Sequence, residues 1–116
     1  MLIVYGIASC DTVAAARRWL REHGIEHEFH DLRREHVDAR TIEGGLAACG
    51  RERLVNRASA TWRLLDQAQR RQVESGNPVP VLLANPTLLK RPVLVDGAAL
   101  SCGFDPAEYE RLFVRG

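Results

Sequence analysis

Leu2-Ile3-Val4-Tyr5-Gly6-Ile7-Ala8-Ser9-Cys10-Asp11-Thr12-Val13 is the stretch on which the fold turns. Residues 2–5 form a short apolar run rich in β-formers, the pattern of a buried strand. Residues 6–9 read as the loop that leaves it. From position 11 the period changes to that of a helix, with Val13, Ala16, Trp19 and Leu20 on one face of residues 11–23. Asp11 is the candidate N-cap, and Ala14 three places on means that no capping box follows. Gly24 closes the helix, as the residue best able to take a left-handed conformation. Cys10 therefore falls at a strand-to-helix turn, beside the unpaired N–H groups and positive end of a helix dipole. A thiol there is pushed toward thiolate, the form that attacks disulfides. The alternative is a small hydrophobe packed under the helix.

Working outward, residues 25–32 alternate in the manner of a second strand. Strand, helix, strand is a βαβ unit, which implies a parallel pair and a right-handed crossover. Residues 37–89 are helical in character. Asp38 caps a helix to about Cys49, closed by Gly50; a short turn lies in 51–56, and a further helix is expected over 62–74. Ser75-Gly76-Asn77-Pro78 breaks the pattern, and short helical pieces follow at 79–84 and 86–89. With no low-complexity composition or repeat, this segment reads as an inserted helical layer, not a linker.

Lys90-Arg91-Pro92 then leads into an apolar strand, Val93-Leu94-Val95. Asp96-Gly97 is the signal of a type I′ hairpin turn into residues 98–101. Asp105 and Pro106 suit the cap and first position of a last helix over 107–114. The order is that of an α/β, thioredoxin-like fold (β-α-β, helical insertion, β-β-α) with a mixed four-stranded sheet, in one domain over residues 1–116.

Bulk composition narrows the function. The 116 residues are 46% apolar and 27% charged, with a net charge of +1, enough for one core. So even a balance predicts neither nucleic-acid nor membrane partners, and no apolar run approaches the ~18 residues of a membrane span. The N-terminus enters a strand pattern with no basic n-region, so a cytoplasmic location is expected. Cys10, Cys49 and Cys102 are too few and too scattered for a disulfide scaffold, and the absence of CxxC excludes a vicinal-dithiol mechanism. His23, His27, His30 and His36 make no zinc spacing with the cysteines, so no metal is expected.

Tyr5-Gly6-Ile7-x-x-Cys10-Asp11-Thr12 followed by Ala16-Arg17-x-Trp19-Leu20 resembles the opening of the arsenate-reductase-related (ArsC/Spx-like) thioredoxin-fold proteins. More narrowly it is similar to their small bacterial branch, suspected of glutathione-dependent thiol reduction. The resemblance continues through His30-Asp31-Leu32-Arg33, Leu54-Val55-Asn56-Arg57, Thr61-Trp62-Arg63-x-Leu65, Leu89-Lys90-Arg91-Pro92-Val93-Leu94 and Gly103-Phe104.

The resemblance implies that Cys10 is the attacking thiolate, that Arg91 lines its pocket, and that Pro92 follows a cis peptide bond beside which an extended peptide such as glutathione pairs. A surface charge before an ordinary trans proline is the plainer reading of Arg91. Arg63 is expected to hold a glutathione carboxylate or an oxyanion in bidentate fashion; its alternative is a solvated helix residue beside a core Trp62. Thr12 joins the binding set from the cysteine motif. Arg57 is a candidate to replace the arginine that relatives carry where this chain has Ala58.

The expected reaction is a monothiol exchange in which Cys10 takes glutathione from a disulfide and a second glutathione resolves it. Cys102 is the candidate resolving thiol within the chain, and Cys49 is expected in the core. Glutathione is thus a co-substrate, with no bound cofactor, glutaredoxin as a further candidate partner, and a monomer as the expected state. Two other functions stay open. Arsenate reduction of the glutathione/glutaredoxin type is weakened by Asp11, and by Ser101-Cys102-Gly103-Phe104 where such reductases resemble one another in an oxyanion-binding arginine. Spx-like relatives bind RNA polymerase and carry a CxxC sensor; Ile7-Ala8-Ser9-Cys10 lacks its first cysteine.

Overall fold

The computed structural model describes residues 1–114. Strand β1 (Leu2–Gly6) leads through a three-residue loop and Cys10 to helix α1 (Asp11–Glu22), which returns to strand β2 (His27–Asp31). The layer that follows holds α2 (Ala39–Cys49), α3 (Arg51–Leu54), α4 (Ala60–Leu64), α5 (Gln67–Ser75), α6 (Val79–Ala84) and a 3-10 turn (Pro86–Leu88). Strands β3 (Val93–Asp96) and β4 (Ala98–Cys102) and helix α7 (Pro106–Phe113) complete the chain. The sheet order is β2-β1-β3-β4, with β1 and β2 parallel and the other two pairings antiparallel. This is the mixed sheet and α/β order expected from the sequence.

Side-chain alternation splits the core between the two faces of the sheet. Leu2, Val4 and Leu94 pack with Ala16 and Leu20 of α1 and with Tyr109 of α7. Ile3, Tyr5, Val93, Val95 and Cys102 face the helical layer, against Ile42, Leu54, Val73, Leu82 and Leu88. Tyr109 is fully buried; its hydroxyl donates to the Gly103 carbonyl at 3.0 Å.

Three local expectations are corrected. The N-cap of α1 is Cys10, in extended backbone (φ −84°, ψ 122°), and Asp11 is the first helical residue, an acid in the first turn. An exposed carboxylate there is favoured by the helix dipole without having to cap it. The helix expected over 62–74 is two helices: α4 ends before Leu65, whose backbone is extended, and Asp66 starts α5 through a capping box with Gln69. The β3–β4 hairpin pairs Asp96 with Ala98 and turns at Gly97 (φ +75°), so it is not a two-residue type I′ turn. A bulge beside Leu94–Val95 absorbs the shift: Leu94 pairs with Ser101 and Val95 with Ala99, leaving Leu100 as the extra residue. Beyond the bulge Cys102 pairs with Val93 and joins the cluster under the helical layer.

Candidate active site

The register of the sheet gathers the expected site at one end. Leu32 N–H donates to the Gly6 carbonyl at 2.8 Å, so the exit of β2 is fastened to the last residue of β1. Tyr5 pairs with Val93, which puts Pro92, at the entry of β3, beside the exit of β1. Gly103 N–H donates to the Pro92 carbonyl at 2.8 Å and ties in the exit of β4. The Arg91–Pro92 peptide bond is cis, as the resemblance implied.

Cys10 stands just beyond this end. Its N–H donates to the Ile7 carbonyl, and its own carbonyl accepts from Ala14 N–H, both at 3.0 Å. These two bonds fix the turn, and with it the position of the sulfur at the head of α1. The side chain is half-buried and its sulfur has no hydrogen-bonding partner among the described residues. No side chain caps this helix, so its first amides are left for water or for whatever approaches the sulfur. Asp11 and Thr12 are both exposed; Thr12 sits in the first turn, where a bound anion meets the helix. Gly6 is what lets the turn pack so closely: a Cβ there would lie 2.8 and 2.9 Å from the two methyls of Val13.

The arginines are placed differently from one another. Arg91, half-buried, donates through Nη1 to the Thr87 carbonyl at 3.1 Å. Thr87 Oγ1 in turn meets Thr61 Oγ1 at 2.6 Å, so α4 and the approach to Pro92 are held by one residue that the sequence did not single out. Arg63 is exposed and donates to the Ala58 carbonyl at 3.2 Å. Arg57 pairs with Glu74 at 3.4 Å and lies over the Trp62 ring at 5.7 Å. Among the described residues no guanidinium hydrogen-bonds the Cys10 sulfur. Arg34 is a cation the sequence reading missed: with Ala8, Phe29, Asp31 and Glu35 it lines a cleft of about 370 Å³ beside the Cys10 loop. The motif His30-Asp31-Leu32-Arg33 ran right up to it.

Family comparison fits this geometry. A model described as the ArsC family matches residues 5–112, from the end of β1 into α7. The chain belongs to the ArsC family. The YFFB protein has a solved structure that superposes with a TM-score of 0.84 at 37% identity, covering 96% of this chain and 97% of that one. An arsenate reductase (ArsC) related protein from Brucella melitensis is 42% identical, with a TM-score of 0.68 and coverage of 97% and 94%. The global transcriptional regulator Spx of Lactiplantibacillus plantarum is 26% identical over 117 residues, covering 99% of this chain and 88% of that one. Within the ArsC family this chain is therefore similar both to arsenate-reductase-related proteins and to regulators.

The remaining cysteines lie on the helical-layer side of the sheet. Cys102 is buried on the sheet face opposite α1, in the core cluster against which Cys49, at the end of α2, packs. Cys49, expected as plain core, is half-buried and only packed against the edge of that core. Accepting from Cys102, with the Arg53 guanidinium nearby, brings the Cys49 thiol down to about 7; the same bond, with burial, pushes Cys102 up. No helix among the described residues is long and apolar enough to cross a membrane.

Proposed function

We propose that this ArsC-family chain is a glutathione-dependent thiol–disulfide oxidoreductase working through one cysteine. The observation that carries the reading is the half-exposed Cys10 sulfur at the uncapped head of α1, with no hydrogen-bonding partner among the described residues. The Cys10 thiolate attacks the glutathione sulfur of a glutathionylated protein. The S–S bond breaks, the protein leaves as a thiolate, and glutathione stays on Cys10. A second glutathione thiolate then attacks that glutathione sulfur, releasing oxidised glutathione and restoring Cys10. The free amides of α1 are the donors nearest the charge that the sulfur carries as it attacks and as it leaves. Resolution falls to glutathione because Cys102 is buried in the core on the other face of the sheet.

Arg91, Pro92 and Thr12 are the substrate-side residues of this reading, with Arg34 in the adjoining cleft. Arg63 and Arg57 serve it only after leaving Ala58 and Glu74. The proposed exchange is tested by following release of thiol from a glutathionylated peptide with reduced glutathione present. Turnover that vanishes in Cys10→Ser supports the reading, and turnover unchanged in that variant refutes it.

The likeness to Spx favours a second reading, an interaction protein that contacts RNA polymerase. An inert Cys10 together with co-purification of polymerase would establish that reading in place of the enzyme. Arsenate reduction is the remaining alternative within the family, and arsenate replacing the peptide as oxidant in the same assay distinguishes it.

A further inference from the structure

We infer that a cleft at the far end of the sheet from Cys10, walled by Arg17, Arg21 and His27, binds the dianionic phosphate group of a small phosphate monoester. The site is separate from Cys10 and goes beyond the exchange proposed above.

The topology builds the cleft. Strands β1 and β2 are parallel with Leu2 beside His27, so both begin at the end of the sheet away from the Cys10 loop. Helix α1 runs back from Cys10 along that length, and at the helical rise Arg17 and Arg21 stand about 10 and 16 Å down its axis from Cys10. Four residues apart, they share one face. Gly24 (φ +70°) then turns the chain into Ile25 and β2. The cleft that results holds about 600 Å³ and is lined by Met1 and Ile25 as well as by Arg17, Arg21, Glu26 and His27.

Arg17 is held in place before any ligand arrives. Its guanidinium carbon lies 4.6 Å from the centroid of the Phe29 ring, and its Nε donates to His27 Nε2 at 3.3 Å. His27 Nδ1 lies 3.1 Å from the Ile25 carbonyl. A carbonyl only accepts and a guanidinium only donates, so the imidazole is the neutral Nδ1–H tautomer. Neither neighbour cancels the charge of Arg17. The other half-buried arginines of the described residues, Arg51, Arg70 and Arg91, give their guanidinium N–H groups to backbone carbonyls. Both Nη nitrogens of Arg17 lack an acceptor among the described residues, as does the Arg21 guanidinium.

That pattern suits a phosphate. The Nη edge of Arg17 offers two parallel N–H donors, the fork that meets two phosphate oxygens at once. Arg21 supplies the second positive charge that a dianion needs. Burial and the nearness of Arg21 both work against the charge on Arg17, and an anion between them relieves the repulsion. Glu26, the one carboxylate lining the cleft, is exposed and pairs with neither arginine. The negative end of α1 is blunted, because the Trp19, Leu20 and Arg21 carbonyls accept from the His23, Ile25 and Gly24 N–H groups. The volume is more than a bare phosphate fills and falls in the range of small-molecule sites, with Met1 and Ile25 as the apolar wall for the organic part.

The test titrates the full chain with phenyl phosphate at constant ionic strength, followed by backbone amide NMR and by thermal melting. The amide signals of Arg17, Arg21, Ile25, Glu26 and His27 should move saturably while those of Cys10 and Asp11 stay, and Tm should rise with the ligand. Arg21→Gln, an exposed change that should leave stability unaltered, should weaken binding about tenfold, and Arg17→Gln at least as much. Benzoate, one charge short, should bind more weakly by a similar factor. Movement at the head of α1 in place of the cleft would overturn the inference, and so would shifts that never saturate. Unchanged affinity in Arg21→Gln, or benzoate binding as tightly as phenyl phosphate, would overturn it equally.

Discussion

Replacing Gly6 by alanine tests how the head of α1 is held. Gly6 does not have a positive φ, so alanine fits its backbone, and fewer unfolded conformations alone would stabilise by about 0.4–1 kcal/mol. The added methyl, however, lands 2.8 and 2.9 Å from the Val13 methyls and 3.3 Å from Phe29 Cε1, well inside the ~3.5–4.0 Å of ordinary carbon contact. Val13 is 1% exposed and, being β-branched in a helix, has one strongly preferred rotamer, so it cannot turn away. Overpacking of this kind costs about 1–3 kcal/mol. The clash wins, for a net loss of about 1.5 kcal/mol, or roughly 5–9 °C in Tm for a chain of this length. Thermal melting of Gly6→Ala, Val13→Ala and the double variant reads the effect. In the Val13→Ala background the same glycine change should cost nothing or stabilise. A Gly6→Ala chain that melts with the parent, or costs that add within about 0.5 kcal/mol, would refute the reasoning.

Tyr109→Phe leaves the Gly103 carbonyl without its donor and should cost about 1–2 kcal/mol by denaturant unfolding. Burial raises the Tyr109 hydroxyl, and burial with Asp38 and Glu35 raises Tyr5. Their neutral forms thus add stability that is complete below the unfolded pKa of about 10 and lost as pH rises above it; Tyr109→Phe should flatten that alkaline loss. Ser101→Ala should stabilise by about 1 kcal/mol, because the buried Ser101 hydroxyl has no partner; a fall in Tm would mean that the hydroxyl is satisfied. Alkylation of Cys49 in a chain lacking Cys10 should rise with a midpoint near its thiol value of about 7; a midpoint above pH 8 would remove the Cys102 bond and Arg53 as its cause.

Local signals carried the frame of this fold, because they are written over short windows. The strand-to-helix opening, Gly24 at the end of α1, Asp38 with its Thr41 amide at 2.8 Å, and Asp105-Pro106 at the head of α7 are each decided by neighbours in the chain. The break between α4 and α5 was also written there, as Asp66 and Gln69, but an apolar helical period over the same residues masked it. What sequence did not yield depends on packing between distant segments. The bulge at Leu100 decides which face Cys102 joins, and alternation counted along the strand does not locate a bulge. The packing of α2 on β4 needs Gly44 against Ala99, which a glycine in a helical pattern permits but does not announce. Arg63 and Arg57 matched a family motif, yet folding gives both guanidiniums nearby acceptors. A motif fixes which residue is present, not where the end of a long flexible side chain goes.

Peptide mapping by mass spectrometry after incubation with oxidised glutathione tests the role of Cys10 most directly. One glutathione should remain on Cys10, be removed by reduced glutathione, and be absent from Cys10→Ser. Glutathione spread equally over the three cysteines, or a Cys10 left unmodified, would contradict the account.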